Sequence, residues 1–454
     1  MIQSVNPATG EEIKSYNEFT HAESEKIISA SHQDYLSWSK TDFKSRAVLM
    51  KKAAGVLRSK KDRWAEVMTL EMGKPINQSK SEVEKCAWVC DYFADNSENF
   101  LKDEFISTDA SKSFVTFKPL GVVLAVMPWN FPFWQVFRFA APNLMAGNAG
   151  VLKHSSNVTG CALAIEEIFR EAGFPENIFR TLIVSSKNVK PIIENKNISA
   201  VTLTGSVPAG KSVATMAGAV LKKTVLELGG SDPYLILEDA DLETASEICV
   251  NSRLLNGGQS CIAAKRFIIV EKVYDKFENL FIEKMKSKNM GNPFDTKNDL
   301  GPQARNDLRD ELHQQVIASV KKGAKLLLGG EVPDLKGAYY LPTVLSNVTA
   351  GMPAYDEELF GPVAALIKAK DEQEGIKIAN DTSFGLGAAV FTSNLERGER
   401  IAKEELNAGC CFVNDLVKSD PRLPFGGIKE SGYGRELSLF GIKEFVNIKT
   451  VYVK

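Results

Sequence analysis

No part of this sequence is apolar for long enough to cross a bilayer. The most apolar run, Leu120 to Met127, is closed by Pro128, far short of the roughly 20 residues a membrane helix needs. The opening MIQSVNPATGEEIKSY has neither the basic start nor the following apolar stretch of a secretory signal, so the expectation is a cytoplasmic protein. Histidine is scarce: His21, His32, His154 and His313 are scattered without metal-ligand spacing, and no CxxC occurs. A metal site and a Ser-His triad are both disfavoured. Cysteine is sparse and odd in number, with seven in 454 residues, which argues against a disulfide framework. An excess of one charge is lacking too. Lys+Arg 55 against Asp+Glu 57 leaves a net charge of -2, so no global field draws nucleic acid or an anionic membrane. The expected partners are small molecules and further copies of the chain. There is no internal repeat, low-complexity segment or long linker.

What is present is enough apolar material, 44% of residues, to bury a large core in two or three domains. Up to about residue 105 the pattern is helical. KSRAVLMKKAAGVLRSKKDRWAEVMTLEMGK has apolar positions recurring at three and four, and Gly73 and Pro75 mark its end. Cys86 and Cys90 share one helical face and read as packing. From Ser113 the period changes: SFVTFKPLGVVLAVMPW reads as two strands broken at Pro119 and Gly121. Strand-like and helix-like runs then alternate, which predicts βαβ units with helices on both faces of a parallel sheet. A second alternating series runs from near Asp232 to about Asn414, and FVNIKTVYVK reads as a terminal strand. An exposed edge strand invites pairing with another subunit, which predicts a homo-oligomer, a dimer or a dimer of dimers.

Three motifs carry chemistry, and each has a plain alternative. In NGGQSC, residues 256 to 261, glycines deliver Cys261 from a tight turn where backbone can approach a ligand; a buried structural cysteine is the other reading. In VLELGGSDP, Glu227 ends an apolar run beside Gly229 and Gly230. It suits a general base whose pKa burial has raised, or else a helix cap or surface charge. In MPWNFPFWQVFRFAAPNLMAGN, Asn130 precedes Pro132. It could stand at a helix start and donate to a developing oxyanion, or serve as an ordinary N-cap.

Together with NPATGE (6 to 11), EELFGP (357 to 362) and LPFGGIKESGYGRE (423 to 436), these motifs resemble the aldehyde dehydrogenase superfamily, in the family's order over nearly the whole chain. The resemblance implies two parallel-sheet α/β domains, one a variant Rossmann domain for the cofactor and one catalytic, plus a small β element for oligomerisation. The implied boundaries are 1-112, 123-226 and 415-436 for the cofactor domain, 227-414 for the catalytic domain, and 113-122 and 437-454 for the oligomerisation strands. Cys261 looks like the nucleophile that gives a thiohemiacetal. Asn130 and the Cys261 N–H would hold the oxyanion, and one such donor is worth about 2.7–4 kcal/mol in a comparable site. Glu227 would activate the water that hydrolyses the thioester. For the cofactor, TLTGSVPAGKSVATMAG joins strand to helix through Gly205, Ser206 and Gly210, so that a pyrophosphate can approach backbone N–H groups. Glu358 and Phe360 resemble the pair that positions the nicotinamide ribose and ring, and Trp129 is placed with the cofactor contacts.

This sequence departs from the family at Lys153-His154-Ser155-Ser156, where many NAD-preferring members carry Lys-Pro-Ser-Glu. Ser156 removes a carboxylate that would repel a 2′-phosphate, and Lys153 can donate to one, so NADP is expected to be preferred and NAD accepted. On the substrate side, Phe131, Trp134 and Arg138 can share a face, an aromatic wall ending in a guanidinium. That suits a short aldehyde with a distal carboxylate, although the arginine could equally pair with a structural acid. FPFWQVFRFAAP, the KHSSN segment and VKSDPRLPFGG are similar to short bacterial succinate-semialdehyde dehydrogenases, which implies Arg138 and Ser419 as carboxylate contacts, with Arg422 a further candidate. The alternatives are another aldehyde (glutarate semialdehyde or an uncharged one), a CoA-acylating enzyme that retention of Glu227 disfavours, and a catalytically silent binding protein on the same fold. Cys410 and Cys411 read as packing, or as a disulfide partner for Cys261.

Overall fold

The change of period at Ser113 marks where sheets begin to form. In a computed structural model describing residues 1–454, the strands Lys112–Pro119 and Val122–Met127 go to different sheets. Val122–Met127 is the centre of a six-stranded sheet. On one side lie Ala149–His154 and then Phe179–Thr181; on the other lie Ile198–Thr204, Lys223–Glu227 and the short antiparallel strand Gly432–Tyr433. Taken in chain order, the five parallel strands stand 3-2-1-4-5. The order therefore reverses between Val122–Met127 and Ile198–Thr204, and the crevice beyond the carboxyl ends of such a pair is where open α/β sheets bind ligands. Pro128 and Gly205 are the first residues past those ends.

The second series builds a seven-stranded sheet with Pro233–Ile236 between Arg266–Val270 and Gly387–Phe391. It is parallel except at Lys325–Leu328. A third sheet pairs Val446–Val453 with Lys112–Pro119 along their whole lengths, and Glu104–Phe105 joins its other side. Val446–Val453 is an edge strand that exposes Ile448, Tyr452 and Val453.

The helical N-terminal region differs in two ways from its sequence pattern. A hairpin, Ile2–Val5 with Glu12–Tyr16, precedes the helices. The long periodic run is two helices, Phe43–Ser59 and Lys61–Met72, broken at Lys60. Gly73 ends the second with φ 79, a left-handed cap that glycine adopts without a Cβ penalty. Helix Ile76–Phe100 buries Cys86 and Cys90, as their spacing suggested. Helix Trp134–Met145 is buried on every side, which explains why its sequence is apolar all round apart from a few polar residues. Arg138 is one of them, and a buried guanidinium demands partners.

Candidate active site

Cys261 is reached from helix Leu242–Leu254 through three successive left-handed residues, Asn256, Gly257 and Gly258, with φ of 56, 63 and 76. A Cβ on Gly258 would lie 2.1 Å from the Gly361 carbonyl oxygen, so the NGG run is demanded by backbone shape as well as by close approach. The turn presents Cys261 at the meeting of two cavities, of about 390 and 260 Å³, whose linings share only Cys261 and Gln135. The thiol has no hydrogen-bond acceptor, and burial pushes it up to about 12 against the opposing pull of Arg138 and Lys265.

The larger cavity lies at the strand-order reversal. Its walls include Trp129, Asn130, Gly205, Ser206, Glu358 and Phe360. Ser206 leads into helix Val207–Ala219 without a side-chain cap, which leaves first-turn N–H groups for an anion. Glu358 accepts from Gly230 N–H at 3.0 Å and meets the buried Lys265 ammonium at 3.4 Å; a Cβ on Gly229 would collide with it at 2.3 Å. Trp129 and Phe360 meet edge to face, 5.7 Å between centroids. A helix end open to phosphate, a carboxylate that can accept from sugar hydroxyls and an aromatic wall fit a dinucleotide. Gly210 has a different role from the one expected: it is outside this lining, and a Cβ there would meet Leu228 at 2.6 Å, so it serves helix–sheet packing. Lys153, near the end of the neighbouring strand Ala149–His154, and Ser156, two residues past it, lie at the same sheet edge, outside the cavity wall itself.

Asn130 is not at a helix start. The helix begins at Trp134, and its first N–H groups, from Phe133 and Trp134, are taken by Glu82 Oε1 at 2.9 and 2.8 Å. Asn130 sits in the preceding loop, donating from Nδ2 to the Gln259 carbonyl at 3.1 Å, which leaves its second amide hydrogen for a ligand beside Cys261. Two residues outside the recognised roles hold this loop. Asn256 donates to the Asn130 and Gln259 carbonyls at 2.7 and 3.1 Å. His154 Nε2 faces the Pro132 carbonyl at 2.8 Å, the nearer of two carbonyls at the ring; Nδ1 stands 3.2 Å from the Met127 carbonyl, which also accepts from Ser155 N–H at 2.9 Å. Burial holds His154 down to about 4, so it is neutral at pH 7.

This has a measurable consequence. A histidine whose folded pKa lies below its unfolded value of about 6.5 leaves the unfolded chain with more bound protons, so stability falls as pH drops from about 6.5 to 4, by up to about 1.4 kcal/mol per pH unit for this one group. Denaturant titrations of the parent and His154→Gln across that range are expected to show a shallower acid slope in the variant. Equal slopes would refute the assignment.

Glu227, the last residue of its strand, is buried and lines neither cavity. Neither carboxyl oxygen has a hydrogen-bond partner. One lies 2.6 Å from where a Cβ on Gly426 would be. Burial, and then the nearby Glu436 carboxylate, raise its pKa well above the ordinary range. Burial therefore favours the neutral carboxyl in this position, away from both cavities.

The smaller cavity brings together Phe131, Trp134, Arg138 and Ser419 with Cys261. Trp134 Nε1 donates to Ser419 Oγ at 3.1 Å. Arg138 is both things that its sequence context allowed. It lines the cavity, and it is ion-paired with buried Glu436, stacked on Phe425 at 4.7 Å and 3.4 Å from Thr204 Oγ1. Arg422 is turned away, 67% exposed and held by Asp420. Cys410 and Cys411 line neither cavity, and all seven cysteines are free. The residue missed on this side is Lys85, whose ammonium enters the cavity from helix Ile76–Phe100. Its segment, EVEKCAWVC, had drawn notice only for its cysteines.

No helix is long and apolar enough to cross a membrane, and no cluster of His, Cys, Asp and Glu could hold a metal ion. The sequence profile described as "Aldehyde dehydrogenase family" matches residues 1–451. A Synechocystis protein named "Probable succinate-semialdehyde dehydrogenase [NADP(+)]" is 48% identical over 452 residues, 100% of this chain and 99% of its own. A succinate semialdehyde dehydrogenase [NAD(P)+] of Escherichia coli is 45% identical, covering 99% of this chain and 97% of its own. Among solved structures, the succinic semialdehyde dehydrogenase of Streptococcus pyogenes in complex with NADP+ superposes with a TM-score of 0.98 at 38% identity, covering 100% of both chains.

Proposed function

This chain belongs to the aldehyde dehydrogenase family, and from that premise we propose that it oxidises succinate semialdehyde to succinate, with NADP preferred and NAD accepted. The observation that carries the reading is Cys261 at the junction of a cavity that fits a dinucleotide and a second pocket of polar and aromatic walls. Cys261 gives its thiol proton to water in the cavity and adds as the thiolate to the aldehyde carbon to form a thiohemiacetal, while the free Asn130 amide hydrogen and the Cys261 N–H donate to its oxyanion. The dinucleotide, when bound, supplies the acceptor for the hydride. Glu227 loses its proton to solvent as it swings out of its burial beside Gly426 towards the thioester, and as the carboxylate it takes a proton from water, whose oxygen displaces the Cys261 sulfur to release the product acid. Lys265, which donates to the Ser260 and Cys261 carbonyls at 2.9 and 2.7 Å, keeps the nucleophile loop registered against Glu358.

Ser156 supports the cofactor choice, because no acid stands there to repel a 2′-phosphate and Lys153 lies near the end of the strand that leads to it. Ser156→Glu is expected to lower kcat/KM with NADP relative to NAD by at least about tenfold, the loss of one charge-assisted contact plus a repulsion. Initial rates of reduced-cofactor formation at 340 nm test it, and a parent enzyme that prefers NAD would refute the reading. Absence of any rate with every aldehyde, despite cofactor binding, would point instead to a silent binding protein. We also propose the domain division set out from the sequence, a cytoplasmic location, and oligomerisation through the exposed edge strand Val446–Val453.

The pairing of Arg138 with Glu436 favours a second reading, an uncharged aldehyde, since a neutralised guanidinium attracts a carboxylate less. Arg138→Ala does not separate the two. It would strand Glu436 beside Glu227, an uncompensated buried charge that costs several kcal/mol and perturbs the hydrolytic base.

A further inference from the structure

Within the substrate cavity the charges are unevenly balanced. Glu82 is paired with Lys74, Arg138 with Glu436, and the rim residue Lys418 with Asp415. Lys85 has no carboxylate within 4 Å. Its ammonium lies 4.3 Å from the centroid of the Trp134 ring and donates to Ser419 Oγ at 2.9 Å. Ser419 Oγ already accepts from Trp134 Nε1 at 3.1 Å. A hydroxyl oxygen has two lone pairs and one proton. With both lone pairs occupied, the Ser419 proton has to be donated elsewhere, and the cavity is the open direction. Lys85 retains two further ammonium hydrogens.

We propose that Lys85 is the specificity-determining cation of this pocket: its ammonium, with the hydroxyl proton it orients on Ser419, binds the distal carboxylate of a short semialdehyde, while Arg138 supplies wall and shape. The proposal rests on the semialdehyde reading and explains how a pocket whose arginine is neutralised can still select an anion. Lys85 comes from a different element from the Asn130–Arg138 segment, so the aldehyde end is held by one part of the fold and the carboxylate end by another. That arrangement measures chain length between Cys261 and the ammonium.

The ammonium also titrates in a useful range. Burial, and then the Arg138 charge, lower Lys85 to about 8, with Glu82, Cys86 and Asp420 acting in the other direction. Selectivity for the anionic aldehyde is therefore lost as pH rises through about 8 in the free enzyme, and bound carboxylate moves that loss upward.

The test compares succinate semialdehyde with butanal, its uncharged counterpart of equal chain length, in the parent, Lys85→Met and Lys85→Arg. Met keeps the stem over Trp134. In Lys85→Met the ratio of kcat/KM for the two aldehydes is expected to fall about 10- to 100-fold, carried by KM for succinate semialdehyde rather than by kcat. The alkaline fall in that ratio should vanish in Lys85→Met. In Lys85→Arg the ratio should recover in large part and stay flat to higher pH, because a guanidinium does not titrate there. A parent that does not favour succinate semialdehyde over butanal overturns the semialdehyde reading and this proposal with it. A parent that does, with a ratio unchanged in Lys85→Met or a loss equal for both aldehydes, overturns the role of Lys85 alone.

Discussion

Glu227→Gln is expected to release about one equivalent of reduced cofactor per site in a rapid burst and then turn over about 10²- to 10⁴-fold more slowly, the usual worth of a positioned general base. The first half of the reaction needs Cys261 and the Asn130 amide, which the substitution leaves in place. Only water attack on the thioester needs a carboxylate that can take a proton. Stability should rise at the same time. A carboxyl whose folded pKa is raised makes the fold less stable as pH climbs above its unfolded value, because the unfolded chain ionises freely and the folded one does not. Both oxygens of Glu227 lack partners in a buried site, so an uncharged amide of the same shape removes that pH-dependent loss. Rapid-mixing absorbance at 340 nm and thermal melts at pH 6 and 8 measure the two effects. A steady-state rate equal to the parent's, or slowing of the burst itself, would remove Glu227 as the hydrolytic base.

Cys261→Ala carries the larger loss. Removing a nucleophile that acts with its partners as a unit costs on the order of 10⁴ to 10⁶ in kcat, and the side chain removed is small enough that the fold should survive. Cofactor affinity should persist, since Gly205, Ser206, Glu358 and Phe360 are untouched, and quenching of Trp129 fluorescence by titrated NADP reads it directly. Retained activity with retained binding would mean that the chemistry lies elsewhere in the chain.

Legibility varied by residue for physical reasons. The NGG run before Cys261 was readable because three left-handed residues leave a composition that few other structures require. The alternation after Ser113 announced parallel sheets, because strand and helix periods differ. Asn130 stood out in its motif, but its backbone position differs from the helix start that the motif suggested. Pro132 suggested a helix start, but the N–H groups that define the true start are capped by Glu82, which is remote in sequence. Gly210 looked like a phosphate glycine because its motif does not reveal that Leu228 fills the space beside it. His154 stood in plain view as a departure from Lys-Pro-Ser-Glu, yet its bond to Pro132 joins a strand end to the loop before helix Trp134–Met145 and has no local signature.

By itself, then, the sequence determined the family and the α/β class, and it singled out the turn that carries Cys261 and most of the candidate site residues, all of which depend on local backbone preference and short spacing. Tertiary structure alone decided which charges are free. Arg138 and Lys85 are equally basic on paper; Glu436 reaches one and no carboxylate reaches the other. Electrostatics in a buried pocket depends on distances of a few ångströms between segments hundreds of residues apart, and that information exists only once the chain has folded.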